Sequence, residues 1–404
     1  MKIPAGNALI GQSGGPTTVI NQSLAGLVEA ARSVPEIKNV YGAVHGIKGV
    51  LEERLIDLGR EKPETLEAVA QTPCAALRSV RKKPTREECE KALAVFKAHD
   101  VRYFFYIGGN DSAETAYLLN EIAVAEKYDV RLFHVPKTID NDLRVNDHCP
   151  GYGSAAKFVA CALIGDNQDN RSLPGIKIDV IMGRHAGWLT ASSVLAREHP
   201  DDGPHLVYCP ERVFSVERFL GDVDRVYKQH GRCLIAVSEG VHDAAGKPIQ
   251  ESKEVDSHGN VQLSGSGALG DQLAETIKQK LGAKLRVRAD TFGYLQRSFA
   301  GLVSEVDAAE AREVGRTAVR IATQGDAPHG SIVIRRAGEG ANYAARFERT
   351  ELKDVAKDTR PLEDRYLKGD NDIAPSFLDY VRPLVGKMPK AARLSDFPVG
   401  KKLG

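Results

Sequence analysis

The sequence has no uninterrupted apolar stretch approaching the roughly 20 residues that a membrane-spanning helix needs, and Met1–Asn7 lacks an apolar signal core. A protein without a membrane role is the expectation. Cysteine is sparse. Cys74, Cys89, Cys149, Cys161, Cys209 and Cys233 form no Cys-x-x-Cys pair, which argues against a zinc site or a redox motif. Scattered thiols in a chain of 404 residues point to the reducing cytoplasm. There is almost no net charge, +1, and only 6% aromatic residues, so nothing draws the chain to nucleic acid or to a membrane surface. No repeat of fixed period, low-complexity block or duplicated half interrupts the sequence.

What is present is an alternation of short apolar runs with amphipathic stretches. Ala8–Ile10, Tyr103–Ile107, Leu132–Val135, Ile176–Ile181, Leu206–Tyr208 and Leu234–Val237 read as buried strands. Thr17–Ala31, Glu87–Ala98, Ala113–Lys127 and Gly153–Leu163 read as helices, with Ser112 as an N-cap for the third. This predicts an α/β protein of two Rossmann-like domains, with parallel-rich sheets and a cleft between them. Residues 1–150 plus about 301–345 would form one domain, and 151–300 plus about 346–404 the other. Asp243–Gly270 is polar and rich in Gly and Ser, as in a surface loop or hairpin. Phe377–Val381 could pack the charged tail as a helix.

Chemistry-bearing residues cluster just after the apolar runs, where ligands of open parallel sheets bind. Ser13-Gly14-Gly15-Pro16 could cradle an anion with backbone amides at a helix start, or be a tight turn. Gly108-Gly109-Asn110-Asp111-Ser112 offers close backbone approach to a phosphate and two oxygen ligands for Mg²⁺; the alternative is a helix cap. Lys137-Thr138-Ile139-Asp140-Asn141-Asp142 places two carboxylates two residues apart, on one side if the segment is extended, beside a lysine. One carboxylate can take a proton while the other orients substrate or metal; an Asx-rich turn is the structural alternative. Met182-Gly183-Arg184-His185 offers an arginine fork for a phosphorylated sugar. His185 reads as a packed or supporting residue and Trp188 as core. Glu239 ends another strand, and Arg288, Tyr294 and Arg297 suit a phosphate pocket or a buried ion-pair strand. Arg78, Arg81, Lys82, Lys83 and Arg86 form a basic cluster, either a solvated face or an anion site. Together these features suggest phosphoryl transfer.

As a set, and in this order from Ser13 to Arg297, the motifs resemble the phosphofructokinase superfamily, most closely its pyrophosphate-dependent members. A lipid or NAD kinase would share the Gly-Gly-Asn-Asp loop but not the Asp-Asn-Asp or Met-Gly-Arg segments. The resemblance implies Mg²⁺-dependent, reversible phosphorylation of fructose 6-phosphate by diphosphate, a glycolytic step. ATP-using members typically carry Gly where this chain has Asp111 and Lys137. By resemblance, Gly14, Gly108 and Arg81 would bind diphosphate, and Asp140 would accept the proton, aided by Lys137 and Asp111. Thr138 and Asp142 would bracket the 1-hydroxyl. Met182, Gly183, Arg184, Glu239, Arg288, Tyr294 and Arg297 would bind the sugar phosphate, Arg288 in a neighbouring subunit. The family loop usually has Asp where this chain has Asn110, so the metal would fall to Asn110 through water or to Asp111. A homodimer or homotetramer is implied. An ATP donor, sedoheptulose 7-phosphate as the acceptor, or a non-catalytic phosphosugar-binding subunit are the competing readings.

Overall fold

The structure is a computed structural model, described here for residues 3–250, 267–324, 327–338, 340–356, 358–395 and 397–402. Its strands are β1 (Gly6–Gln12), β2 (Ile37–Ala43), β3 (Leu55–Asp57), β4 (Val101–Gly108), β5 (Arg131–Pro136), β6 (Ile176–Ile181), β7 (Leu206–Tyr208), β8 (Cys233–Ser238), β9 (Val287–Thr291), β10 (His329–Ala337) and β11 (Ala344–Thr350). They form a seven-stranded sheet in the order β11-β10-β5-β4-β1-β2-β3 and a four-stranded sheet in the order β7-β8-β6-β9. All neighbours are parallel except the edge strands β3 and β11. A separate pair joins Leu367–Lys368 to Asp372–Ile373.

The continuous apolar run of β4 follows from its central position, because both sheet faces are covered by helices. Successive side chains point to opposite faces. Tyr103, Phe105 and Ile107 therefore pack with the helices Ile20–Arg32 and Glu305–Thr323, while Phe104 and Tyr106 pack with Arg86–Ala98 and Asn110–Ala125. In the second sheet, Ile176, Ile178 and Val180 join a core with the helices Val216–His230 and Ala268–Leu281. On its other side the helix Tyr152–Ser172 packs with Trp188 and the terminal helix Ser376–Val385. The tail does pack as a helix, through Phe377, Tyr380 and Val381.

The return crossing lies later than the sequence suggests. β11 pairs with β10 through Thr350, and Val355 and Ala356 pack on Ala113 and Val333, so the first sheet's layer extends past residue 345. Of the polar Asp243–Gly270 stretch, residues 251–266 lie outside the described residues. Its start is a tight hairpin in which Asp243 accepts the amides of Ala245 and Lys247. Its last residues open the helix Ala268–Leu281. No helix among the described residues is long and apolar enough to cross a membrane.

Candidate active site

The loops after β1, β4, β5, β6 and β8 converge on one cavity of about 600 Å³ between the two sheets. Ser13–Pro16 forms one wall. Gly14 donates its amide to Val80 and accepts the Ser79 hydroxyl at 2.6 Å, which holds the basic segment against the loop. Of that segment, Arg81 and Lys82 line the cavity. Lys82 is also ion-paired with Glu88, as Lys83 is with Glu114 and Arg86 with Glu90, so much of the basic cluster is locally neutralised.

Ser112 is not a helix cap. The helix starts at Asn110 with Gly109 before it, so the first-turn amides stand at the cavity, where they favour an anion. Ser112 instead bonds the Ser13 hydroxyl across two loops. Gly108 lies behind the wall. A Cβ there would stand 1.9 Å from the Ser112 hydroxyl oxygen and 2.5 Å from that of Ser13, so only glycine lets these loops meet.

Lys137 is 3% exposed, and its ammonium donates to the Gly15 carbonyl at 2.7 Å. Desolvation, with the nearby Arg297 and Arg81 charges, lowers its pKa to about 7, against the opposing pull of Asp140 and Asp142. Asp140 and Asp142 both line the cavity, but not because the segment is extended. Asn141 between them has φ +57°, a left-handed turn that asparagine tolerates. Its side chain secures the turn by accepting the Cys149 amide at 3.0 Å and donating to the Tyr380 hydroxyl at 2.8 Å. Desolvation raises Asp140, and desolvation followed by repulsion from Asp140 raises Asp142 to about 7. The pair therefore tends to hold a proton near neutrality.

Met182, Arg184, His185, Glu239 and Arg297 supply the opposite wall. Gly183 shapes it from behind, with φ +147° and a carbonyl that accepts the Ser238 hydroxyl at 2.5 Å. His185 is exposed on the cavity wall rather than packed, because the turn at Gly183 carries it out of the core. Trp188 is core, enclosed by Tyr152, Tyr366, Phe377 and Tyr380. Arg288 and Tyr294 do not reach this cavity. Arg288 is exposed on the edge strand β9, and Tyr294 is exposed with Arg297 stacked 4.5 Å from its ring centre.

Asn110 and Asp111 offer oxygen donors of the kind a hard cation takes. The Asn110 Oδ1 is sealed from solvent and has no hydrogen-bond partner among the described residues. An oxygen-only pair with an unspent buried acceptor fits a divalent cation. Several participants carry no sequence signal. Gln296, 1% exposed, accepts the Met182 amide at 3.1 Å, and Thr359 lines the cavity from far along the chain.

A family model described as phosphofructokinase matches residues 7–322. A pyrophosphate–fructose 6-phosphate 1-phosphotransferase of Rhodospirillum rubrum is 52% identical over 404 residues, covering 98% of this chain and 99% of the relative. The enzyme of the same name from Methylococcus capsulatus is 36% identical, covering 99% and 98%. Among solved structures, a pyrophosphate-dependent phosphofructokinase from Nitrosospira multiformis superposes with a TM-score of 0.83 at 34% identity, covering 98% of both chains.

Proposed function

The chain belongs to the phosphofructokinase family, and from that premise we propose that it transfers a phosphoryl group from diphosphate to the 1-hydroxyl of fructose 6-phosphate, reversibly, giving fructose 1,6-bisphosphate and phosphate. The observation that supports this reading most is the presence of Asp111 and Lys137 in one cavity with Gly14 and Arg81. A carboxylate at Asp111 crowds and repels the extra phosphate of a nucleotide, while Lys137 adds charge for the smaller donor.

The domain of the seven-stranded sheet would hold diphosphate, through the Gly14–Gly15 loop, Arg81, Lys137 and the amides of the helix that begins at Asn110. The domain of the four-stranded sheet would hold the sugar phosphate, through Met182, Arg184, Glu239 and Arg297. Thr138 and Asp142 flank the acceptor hydroxyl. That oxygen attacks one phosphorus in line, its proton passes to Asp140, the new P–O bond forms, and the bridging P–O bond breaks to release phosphate. Such transfers have loose transition states, so positioning and charge stabilisation carry most of the rate. Asn110 and Asp111 would hold Mg²⁺, which when bound neutralises charge on the diphosphate oxygens. Arg288, exposed on an edge strand away from its own cavity, has the placement that a residue serving a neighbouring subunit's sugar phosphate requires. A homodimer or homotetramer working in the cytoplasm completes the reading.

The test is Mg²⁺-dependent formation of fructose 1,6-bisphosphate with diphosphate or ATP as sole donor, on the parent and on Asp111→Gly. Turnover with diphosphate alone, weakened or partly shifted to ATP in the variant, is the expected result. Turnover with ATP alone would overturn the donor assignment.

A further inference from the structure

Thr359–Leu362 passes between two loops of the cavity that belong to different sheets. Thr359 lines the cavity and forms an isolated bridge with Leu143. The Arg360 amide donates to the Asp142 carbonyl at 2.7 Å. The Arg360 guanidinium donates to the carbonyls of Asn146 at 2.7 Å and Asn141 at 3.1 Å. On its other side the guanidinium lies 4.3 Å from the Trp188 ring centre, and the Trp188 indole N–H donates to the Arg360 carbonyl at 3.3 Å. Two residues on, the Leu362 amide donates to Oε1 of Glu211 at 2.7 Å, and that same oxygen accepts the Gly187 amide at 2.8 Å. Four residues are thus bonded both to the Asp140–Asp142 turn and to the segment that follows Arg184.

Arg360 is an expensive way to make a merely structural tie. Its Nε is sealed from solvent with no hydrogen-bond partner among the described residues, and a half-buried guanidinium bonded to carbonyls and to the Tyr380 hydroxyl loses hydration that they only partly replace. A neutral side chain could pack under Trp188 at less cost. What the charge adds is a fixed cation behind Asp142, opposite the Lys137, Arg184 and Arg297 charges that face the cavity. It also adds a planar fork that fixes the left-handed turn at Asn141 from below.

We propose that Thr359–Leu362 is a strap that sets the acceptor carboxylates of one domain against the sugar-phosphate loop of the other, with Arg360 as its positioning residue. The kinetic part of this inference rests on the reaction proposed above; the structural part does not. Groups facing the Asp140–Asp142 pair are Lys137, Arg184, His185, Arg297 and Arg360, so withdrawing Arg360 leaves the cavity cations in place and removes only the rear one.

The experiment compares the parent with Arg360→Lys and Arg360→Gln by amide hydrogen exchange and by steady-state kinetics. In exchange, the amides of Gly187, Leu362 and Cys149 lose protection together by about tenfold or more in Arg360→Gln, while those of β4 do not. In kinetics, kcat falls by about 10²-fold, the scale of a small misplacement of reacting groups. KM for diphosphate stays within about twofold, since only the acceptor side is displaced. The acid limb of the kcat profile moves to higher pH in Arg360→Gln and returns toward the parent in Arg360→Lys, which keeps the charge. Unchanged exchange at both loops, or a kcat loss that only tracks loss of folded protein with an unmoved pH profile, overturns the strap. Should Arg360→Gln not fold, Trp188→Phe removes the indole donor to Arg360 but keeps a ring under the guanidinium, and the same exchange pattern decides. A parent without diphosphate-dependent turnover would refute the reaction, and the exchange measurements would still settle the strap.

Discussion

Asp140 with Asp142, and Asp166 with Asp179 and Asp290, are two clusters of one residue type in one molecule. In the second, β6 and β9 place Asp179 beside Asp290, and Asp166 comes from the covering helix, with carboxylate oxygens within 4.8 Å of one another. Desolvation raises Asp179 well above the usual carboxylate range, just as it raises Asp140 and Asp142. The clusters differ in what balances them. Lys177 reaches into the second, ion-paired with Asp290 and 3.5 Å from Asp166, so its cation is already a side chain. The first opens on a cavity of about 600 Å³ that Lys137, Arg184 and Arg297 also line. A perturbed carboxyl group is therefore a consequence of dry surroundings, and becomes chemistry only where a substrate can enter.

The sharpest test of that contrast is Asp140→Asn. Loss of the proton acceptor should lower kcat by about 10²–10⁴-fold while the KM for fructose 6-phosphate stays nearly unchanged. Full turnover in this variant would remove Asp140 from the mechanism.

The pH dependence of kcat/KM separates the clusters next. Burial raises Asp142 to about 7 and raises Asp140 as well, so on the proposed mechanism the free enzyme should need the pair ionised and lose about tenfold per pH unit below neutrality. Lys137, lowered to about 7, must stay charged to hold a phosphate, so a second limb falls on the alkaline side. A narrow bell near neutrality is expected. A plateau from pH 5 to 9 would contradict it.

The smallest effect belongs to Asp179→Asn, whose kcat and KM should match the parent. Its stability should not. A carboxyl group whose folded pKa exceeds its unfolded value keeps a proton that the unfolded chain releases, so it destabilises the fold increasingly as pH rises above about 4. Thermal unfolding should show the variant level with the parent near that pH and more stable at pH 7. A loss of turnover with intact folding would erase the distinction between the clusters.

Several elements were legible because a local pattern sufficed. Ile176–Ile181 and Leu206–Tyr208 are strands with those same bounds, since β-branched and other apolar residues dominate each and the parallel sheet is covered on both faces. The structure brings Asp111, Lys137, Asp140, Asp142, Arg184, Glu239 and Arg297 together around one cavity, most of them from loops at strand ends. Ser112 was misread because capping preference describes an isolated helix, whereas here Gly109 starts the helix and the serine meets Ser13 from another loop. The extended reading of Asp140–Asp142 failed for a similar reason. The turn at Asn141 is held by Cys149, Tyr380 and Arg360, and a tripeptide does not announce Tyr380 and Arg360, which lie 239 and 219 residues away.

The sequence by itself determined the sheet-forming runs and the residue types at their ends, Asp111 and Lys137 among them. These depend on side-chain chemistry and near-neighbour spacing. Only the tertiary structure decided which acidic cluster faces an open cavity, that Arg288 and Tyr294 stand outside it, and that Thr359–Leu362 ties its two walls. Exposure, desolvation and long-range hydrogen bonds are properties of what surrounds a residue, and that is set when distant segments pack.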